Sequence, residues 1–222
     1  MEGLRVQLAV SRPIYTDKET GADLDVAIYE PEVPEGWFFL GHLARRMPHS
    51  YEYTNPSVYE RAPTAVIVQP EGDPSVISSV EPELRSNNGW QPLWTDQHSG
   101  GKQNIEIYSF APTQKDPNYV PMGLFASIVS SYGEDPTRKP MWSKLVAVHI
   151  DLIATASVRA GEIWNDRESG ADGNGIWRDI SLWGLTGSGL VSSAAFVAAE
   201  GYPDRPPLST RPAPHSLDNL IA

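Results

Sequence analysis

Apolar positions along the chain fall in short alternating runs rather than at helical spacing. LRVQLAV (4–10), TAVIVQP (64–70) and KLVAVHIDLIA (144–154) place aliphatic side chains at alternate residues, the pattern of half-buried strands. Between them one phrase is written three times: IYTDKETGADLDVAIYEP (14–31), LWTDQHSGGKQNIEIYSFAP (93–112) and IWNDRESGADGNGIWRDISLWGL (163–185). Each copy runs aliphatic, aromatic, Thr or Asn, Asp, two variable residues, then Thr/Ser-Gly-Ala/Gly. An alternating segment follows: Val26, Ile28, Tyr29; Ile105, Ile107, Tyr108; Ile180, Leu182, Trp183. A second strand comes after it in every copy, within GWFFLGHLA (36–44), NYVPMGLFA (118–126) and SGLVSSAAFVA (188–198). Helical signals are confined to LARRM (43–47) and SSAAFVAA (192–199), and alignment of the copies makes the latter a strand.

The anchoring aspartates, Asp17, Asp96 and Asp166, lie 79 and 70 residues apart, room for about four strands per copy. After the third copy comes PPLSTRPAPHS, too rich in proline for a ladder strand. LRVQLAV has the matching alternation and precedes the first Asp phrase, so it is expected to complete the third unit and close a ring without exposed sheet edges. The expected fold is therefore all-β, a pseudo-threefold closed repeat of β-prism-like form with the N-terminal strand completing the third unit. Tandem β-sandwich units are the alternative. Residues 1–205 read as a single domain of three repeats, about 11–70, 90–154 and 160–205 plus 1–10, and 206–222 as a proline-rich C-terminal tail over the surface.

Composition narrows the function. Eighteen Gly and 20 Pro in 222 residues exclude long helical bundles, and the absence of cysteine excludes disulfides, thiol nucleophiles and Cys-based zinc sites. A net charge of −11 disfavours nucleic-acid binding and polybasic membrane anchoring. No apolar run reaches the length of a transmembrane segment, and MEGLRVQLAVSRP has no signal-peptide pattern. The expected location is cytoplasmic, or outside the cell after release without a signal peptide.

The Asp phrase is the sharpest chemical feature. Asp17, Glu19, Asp23 and Asp25, with Asp166, Glu168, Asp172 and Asn174 at the same offsets, offer alternate oxygen ligands of the kind that wrap calcium. Copy two replaces them with Gln97, His98, Lys102 and Asn104, so no cofactor or metal is expected and calcium is the exception to test. The other reading is an Asx-type turn in which the carboxylate accepts backbone N–H groups and Gly takes a positive φ. The aromatic two residues before each Asp shares its strand face. Tyr15 with Asp17, Trp94 with Asp96 and Trp164 with Asp166 are thus candidate ligand-binding pairs, ring and carboxylate together suiting a sugar. The same aromatics also suit a core plug. There is no Gly-x-Ser-x-Gly elbow and no His-Glu-x-x-His, and no catalytic residue is assigned. The chain reads as a non-enzymatic recognition module, carbohydrate-binding and lectin-like, with a glycan or protein partner. A protein-binding adaptor or scaffold in vacuolar or membrane trafficking is the alternative, and a hydrolase is the weakest reading.

The segment Tyr15 to Leu43, aromatic-x-Asp-x-x-Thr-Gly-Ala followed by a strand ending in Tyr and a Gly-aromatic-x-x-Leu-Gly run, resembles the vacuolar protein sorting-associated protein sixty-two family. It is also similar to the adaptor-binding repeats of large bridge-like lipid-transfer proteins. The resemblance covers about residues 14–200 and is strongest in copies one and three. It implies a β-rich scaffold with a link to vacuolar sorting and carries no catalytic motif.

Overall fold

The computed structural model describes residues 3–48, 62–86, 89–171, 178–186, 195–203 and 211–214. The first unit contains β1 (Leu4–Ala9), β2 (Ser11–Thr16), β3 (Asp25–Pro31), β4 (Phe38–Phe39), β5 (Leu43–Met47) and β6 (Ala65–Pro70). The second contains β7 (Ile77–Pro82), β8 (Arg85–Ser86), β9 (Gly89–Trp90), β10 (Trp94–Thr95), β11 (Asn104–Tyr108), β12 (Phe110–Pro112), β13 (Tyr119–Val120), β14 (Phe125–Val129) and β15 (Val146–His149). The third contains β16 (Ile153–Asn165), β17 (Ile180–Thr186), β18 (Phe196–Glu200) and β19 (Arg211–Pro214). Helical structure among the described residues is limited to short 3-10 turns, so no helix there is long and apolar enough to cross a membrane.

Three antiparallel sets repeat one arrangement: β2-β3-β5, β10-β11-β14 and β16-β17-β18. Their inner faces meet in one core in which each position has three representatives: Tyr15, Trp94 and Trp164; Val26, Ile105 and Ile180; Ile28, Ile107 and Leu182; Ala44, Ala126 and Ala198. The small residue in the last set is what lets three sheets approach a common axis. This is the pseudo-threefold, prism-like all-β body that the repeats predict. LARRM, a helix candidate by composition, is strand β5, because Ala44 must stand where Ala126 and Ala198 stand. A second core lies between the sheet β1-β6-β4 and the sheet β12-β7-β15-β13, with Leu4, Val66, Val68, Val146 and Val148 facing one another.

Closure differs from the expectation in three places. The N-terminal strand does not complete the third unit: β1 pairs antiparallel with β6 of its own unit, from Leu4 opposite Pro70 to Ala9 opposite Ala65. The single residue between β1 and β2 keeps β1 in the first unit, and the chain that closes it onto β6, residues 10–64, is far shorter than the chain to the third unit, so this pairing is the cheaper one entropically. The third unit is instead extended by the stretch expected to be a tail, where Arg211–Pro214 pairs with residues 153–156 of β16. Its two prolines are tolerated because β19 is an edge strand, whose outward side needs no donors. The run KLVAVHIDLIA is likewise not one strand, since a 3-10 turn at Ile150–Leu152 separates β15 from β16 and turns the chain from the second unit into the third.

In this arrangement β1 remains an exposed edge, with Leu8 61% and Val10 67% accessible, while Leu4 at its other end is buried. Leu4→Ala is therefore expected to cost about 3 kcal/mol through the cavity it leaves, whereas Leu8→Lys changes stability by less than about 0.5 kcal/mol. Equal shifts in the urea midpoints of the two variants would contradict the β1–β6 register.

Candidate functional site

The aromatic and Asp residues singled out by the repeat meet around the axis in a ring that runs from unit to unit. Tyr15 Oη donates to Asp96 Oδ2 at 3.3 Å, Trp94 Nε1 to Asp166 Oδ2 at 2.7 Å, and Trp164 Nε1 to Asp17 Oδ2 at 2.6 Å. Each carboxylate thus takes its aromatic partner from the preceding unit in the cycle. The second oxygen of each Asp accepts a backbone N–H of the following strand: Val26 at 2.8 Å, Ile105 at 2.7 Å and Ile180 at 3.0 Å. Trp94 and Trp164 pack edge to face with centroids 5.5 Å apart. All six residues are buried. The sequence places each aromatic beside its own Asp; only the tertiary structure shows that the bond is made to the Asp of another unit.

The turns above the ring are built alike. In each, the Asp carbonyl accepts the N–H of the Thr or Ser three residues on, and that hydroxyl accepts the N–H two residues further, at Ala22, Gly101 and Ala171. Gly21, Gly100 and Gly170 take φ of 78°, 76° and 72°. A Cβ on each would rest on a carbonyl of a neighbouring turn, those of Glu168, Glu19 and His98 in that order, so the turns are cross-packed around the axis. Glu19, His98 and Glu168 also have positive φ, at 74°, 70° and 65°. Nothing in a Glu signals that conformation, and residue type could not have found it. These three side chains are exposed, beside the variable positions Lys18, Gln97 and Arg167. Lys102 pairs with Glu19 at 2.9 Å, and the Arg167 guanidinium stacks on Tyr202 at 4.8 Å. Among the described residues no three His, Cys, Asp or Glu side chains converge as a metal site, and Asp172 and Asn174 lie outside those residues.

Where the first unit abuts the second, His42 seals the edge of β14. Its backbone N–H donates to the Leu124 carbonyl at 2.9 Å, and its Nδ1 accepts the Ala126 N–H at 2.8 Å, which leaves the proton on Nε2. The ring lies between Phe39 and Phe125. Further along the same edge Lys139 Nζ donates to the Ile128 carbonyl at 2.7 Å and to Glu134 at 2.9 Å. A cleft of about 290 Å³ opens at this seam, with Arg12, Glu30, Ser127 and Lys139 among its lining residues.

Burial sets the protonation of both regions. Desolvation pushes the Asp17 carboxyl up to about 7, with Asp25 adding to the effect and the Val26 and Trp164 N–H groups opposing it. Asp96 and Asp166 are raised by the same burial. Burial drives the His42 imidazole down to about 3, beside the Glu30 carboxylate 3.9 Å from Nε2. A folded-state carboxyl raised above its unfolded value of 3.8 favours folding increasingly as pH falls from about 7. A His lowered from 6.5 does the reverse: its contribution is complete above 6.5 and is lost as pH falls. The two slopes oppose each other below pH 6.5. His42→Leu, the residue found at the matching position Leu124, removes one of them. Its stability is expected to gain up to about 1.4 kcal/mol per pH unit on acidification from pH 6.5 to 5, relative to the wild-type profile. Parallel stability–pH curves for the two proteins would contradict this.

No known family model matches the chain, and no curated protein sequence does either. Among solved structures it is similar to the crystal structure of GNIP1Aa from Chromobacterium piscinae, at 21% sequence identity with a TM-score of 0.68. The match covers 99% of this chain and 39% of that protein, so the chain spans well under half the length of the neighbour whose fold it shares.

Proposed function

We propose that the chain is a non-enzymatic recognition module whose leading ligand class is carbohydrate. The observation that carries this reading is the axial end of the fold. Three turns of one backbone design are cross-packed there, while the side chains they carry differ: Glu19, His98, Arg167 and Glu168 are exposed, and Lys18 and Gln97 are half-buried beside them. A constant scaffold under variable polar side chains is how a rigid platform reads a ligand with many hydroxyls. The buried aromatic–Asp pairs act in this reading as the support that holds the turns, with the exposed turn residues making the contacts. No cofactor takes part. A glycan array with and without calcium tests it; retention of no glycan under either condition would refute the carbohydrate reading.

A protein-binding adaptor role is the second reading, favoured by the exposed β1 edge with Leu8 and Val10 beside it, a surface suited to an added peptide strand. The resemblance to the vacuolar protein sorting-associated protein sixty-two family supports the same reading, and membership of that family is part of this proposal. So is a location in the cytoplasm, or outside the cell by release without a signal peptide.

A further inference from the structure

We propose that the seam cleft between the first and second units holds one neutral, hydroxyl-rich ligand the size of a single sugar ring. The proposal shares the ligand chemistry of the axial reading but not its place. Size is the first argument. About 290 Å³ lies at the lower limit of pockets that take small organic ligands, enough for a monosaccharide and too little for a longer chain to be enclosed.

The lining supplies the second. Arg12 meets Glu30 at 2.9 Å and Lys139 meets Glu134 at 2.9 Å, so both cations already have an acid and no charge awaits an ionic ligand. What the cleft offers is donors and acceptors side by side, with Ile14, Ile128 and Met141 as apolar wall. A hydroxyl both donates and accepts, and a sugar ring also has C–H faces to lay on such a wall.

Unmet hydrogen-bonding capacity is the third. Ser127 is among the cleft residues and its Oγ is buried without a partner, as is His42 Nε2, which stands 3.9 Å from the cleft residue Glu30. Buried polar groups are rarely left so, and a pair of them at one seam points to a polar occupant. The backbone adds to the set. In an antiparallel edge strand a residue's N–H and C=O point to the same side. Since Ala126 N–H and the Ile128 carbonyl face His42 and Lys139, the Ala126 carbonyl and the Ile128 N–H face that side too.

The test is an amide-resolved NMR titration of the whole chain with glucose, galactose, mannose and N-acetylglucosamine, with myo-inositol as a polyol that is not a sugar and glucuronate as the anionic control. At least one neutral sugar is expected to give saturable shifts at residues 12–14, 126–128 and 139–141. Glu30→Gln and the exposed-side Arg12→Ala should each weaken that binding about tenfold or more, through loss of a charge-assisted hydrogen bond. Saturable shifts confined to residues 18–21, 97–100 and 167–170 would overturn the cleft and leave the axial reading standing. Tighter binding of glucuronate than of any neutral sugar would overturn the neutral-ligand assignment. No saturable shift with any of these compounds at tens of millimolar would overturn the cleft proposal outright, while the glycan array still decides the axial one.

Discussion

Truncating Trp94 to alanine is expected to lower the free energy of unfolding by about 5 kcal/mol, read as a fall in the urea midpoint. Three losses coincide. The indole is 1% exposed, so its removal opens a cavity on the axis. Its edge-to-face contact with Trp164 disappears. Asp166 loses the N–H that its Oδ2 accepts, in a place where water does not replace it. Trp94→Phe keeps most of the buried ring and gives up the hydrogen bond, and its cost is expected to be about 1–3 kcal/mol. Tyr15→Phe should cost less than Trp94→Phe, because its bond is the longest of the three, while Asp96 and Asp166 each keep a tyrosine hydroxyl, from Tyr132 and Tyr202. A Trp94→Ala protein with the wild-type midpoint would show that the ring does not hold the three units together.

Gly41→Ala is expected to cost about 4 kcal/mol, the combined effect of overpacking and backbone strain. Gly41 has φ of 143°, and a Cβ there would stand 2.9 Å from Gly123 Cα and 3.1 Å from the Leu124 nitrogen. Both neighbours are backbone, so no side chain can swing aside. The crossing is also where His42 donates to Leu124, and pushing it apart breaks the seal between the first two units. Gly133 makes the control: its φ is also positive, at 87°, but no atom lies within 4 Å of the added Cβ, and Gly133→Ala should cost only about 1 kcal/mol. If the two substitutions proved equal in thermal or urea unfolding, the close approach of Gly41 to Gly123 would be wrong.

The all-β class and its threefold repetition were legible because both depend on local pattern. Alternation at period two is visible in Val26, Ile28 and in Ile105, Ile107 without knowledge of any neighbour. The Asp-x-x-Thr/Ser-Gly turn was legible for the same reason, since its carbonyl, hydroxyl and glycine requirements all lie within a few residues. His42 was not. It stands where the other units have Leu124 and Phe196, and no neighbouring residue hints that its Nδ1 will serve as the missing acceptor on a strand edge 84 residues away. Ser127 gave no signal either, being one serine in an alternating run.

By itself the chain determined which residues alternate, where the turns fall and that the phrase is used three times, because these follow from chemistry between near neighbours. Only the tertiary structure decided who pairs with whom. β1 joined β6 instead of the third unit, Arg211–Pro214 became an edge strand, and each aromatic bonded the Asp of another unit rather than its own. Strand alternation fixes the face a side chain takes but not the partner strand, since every alternating run presents the same ladder of N–H and C=O groups. The choice among partners is made by loop length, edge tolerance of proline and the shape left at a shared axis, which no single segment contains.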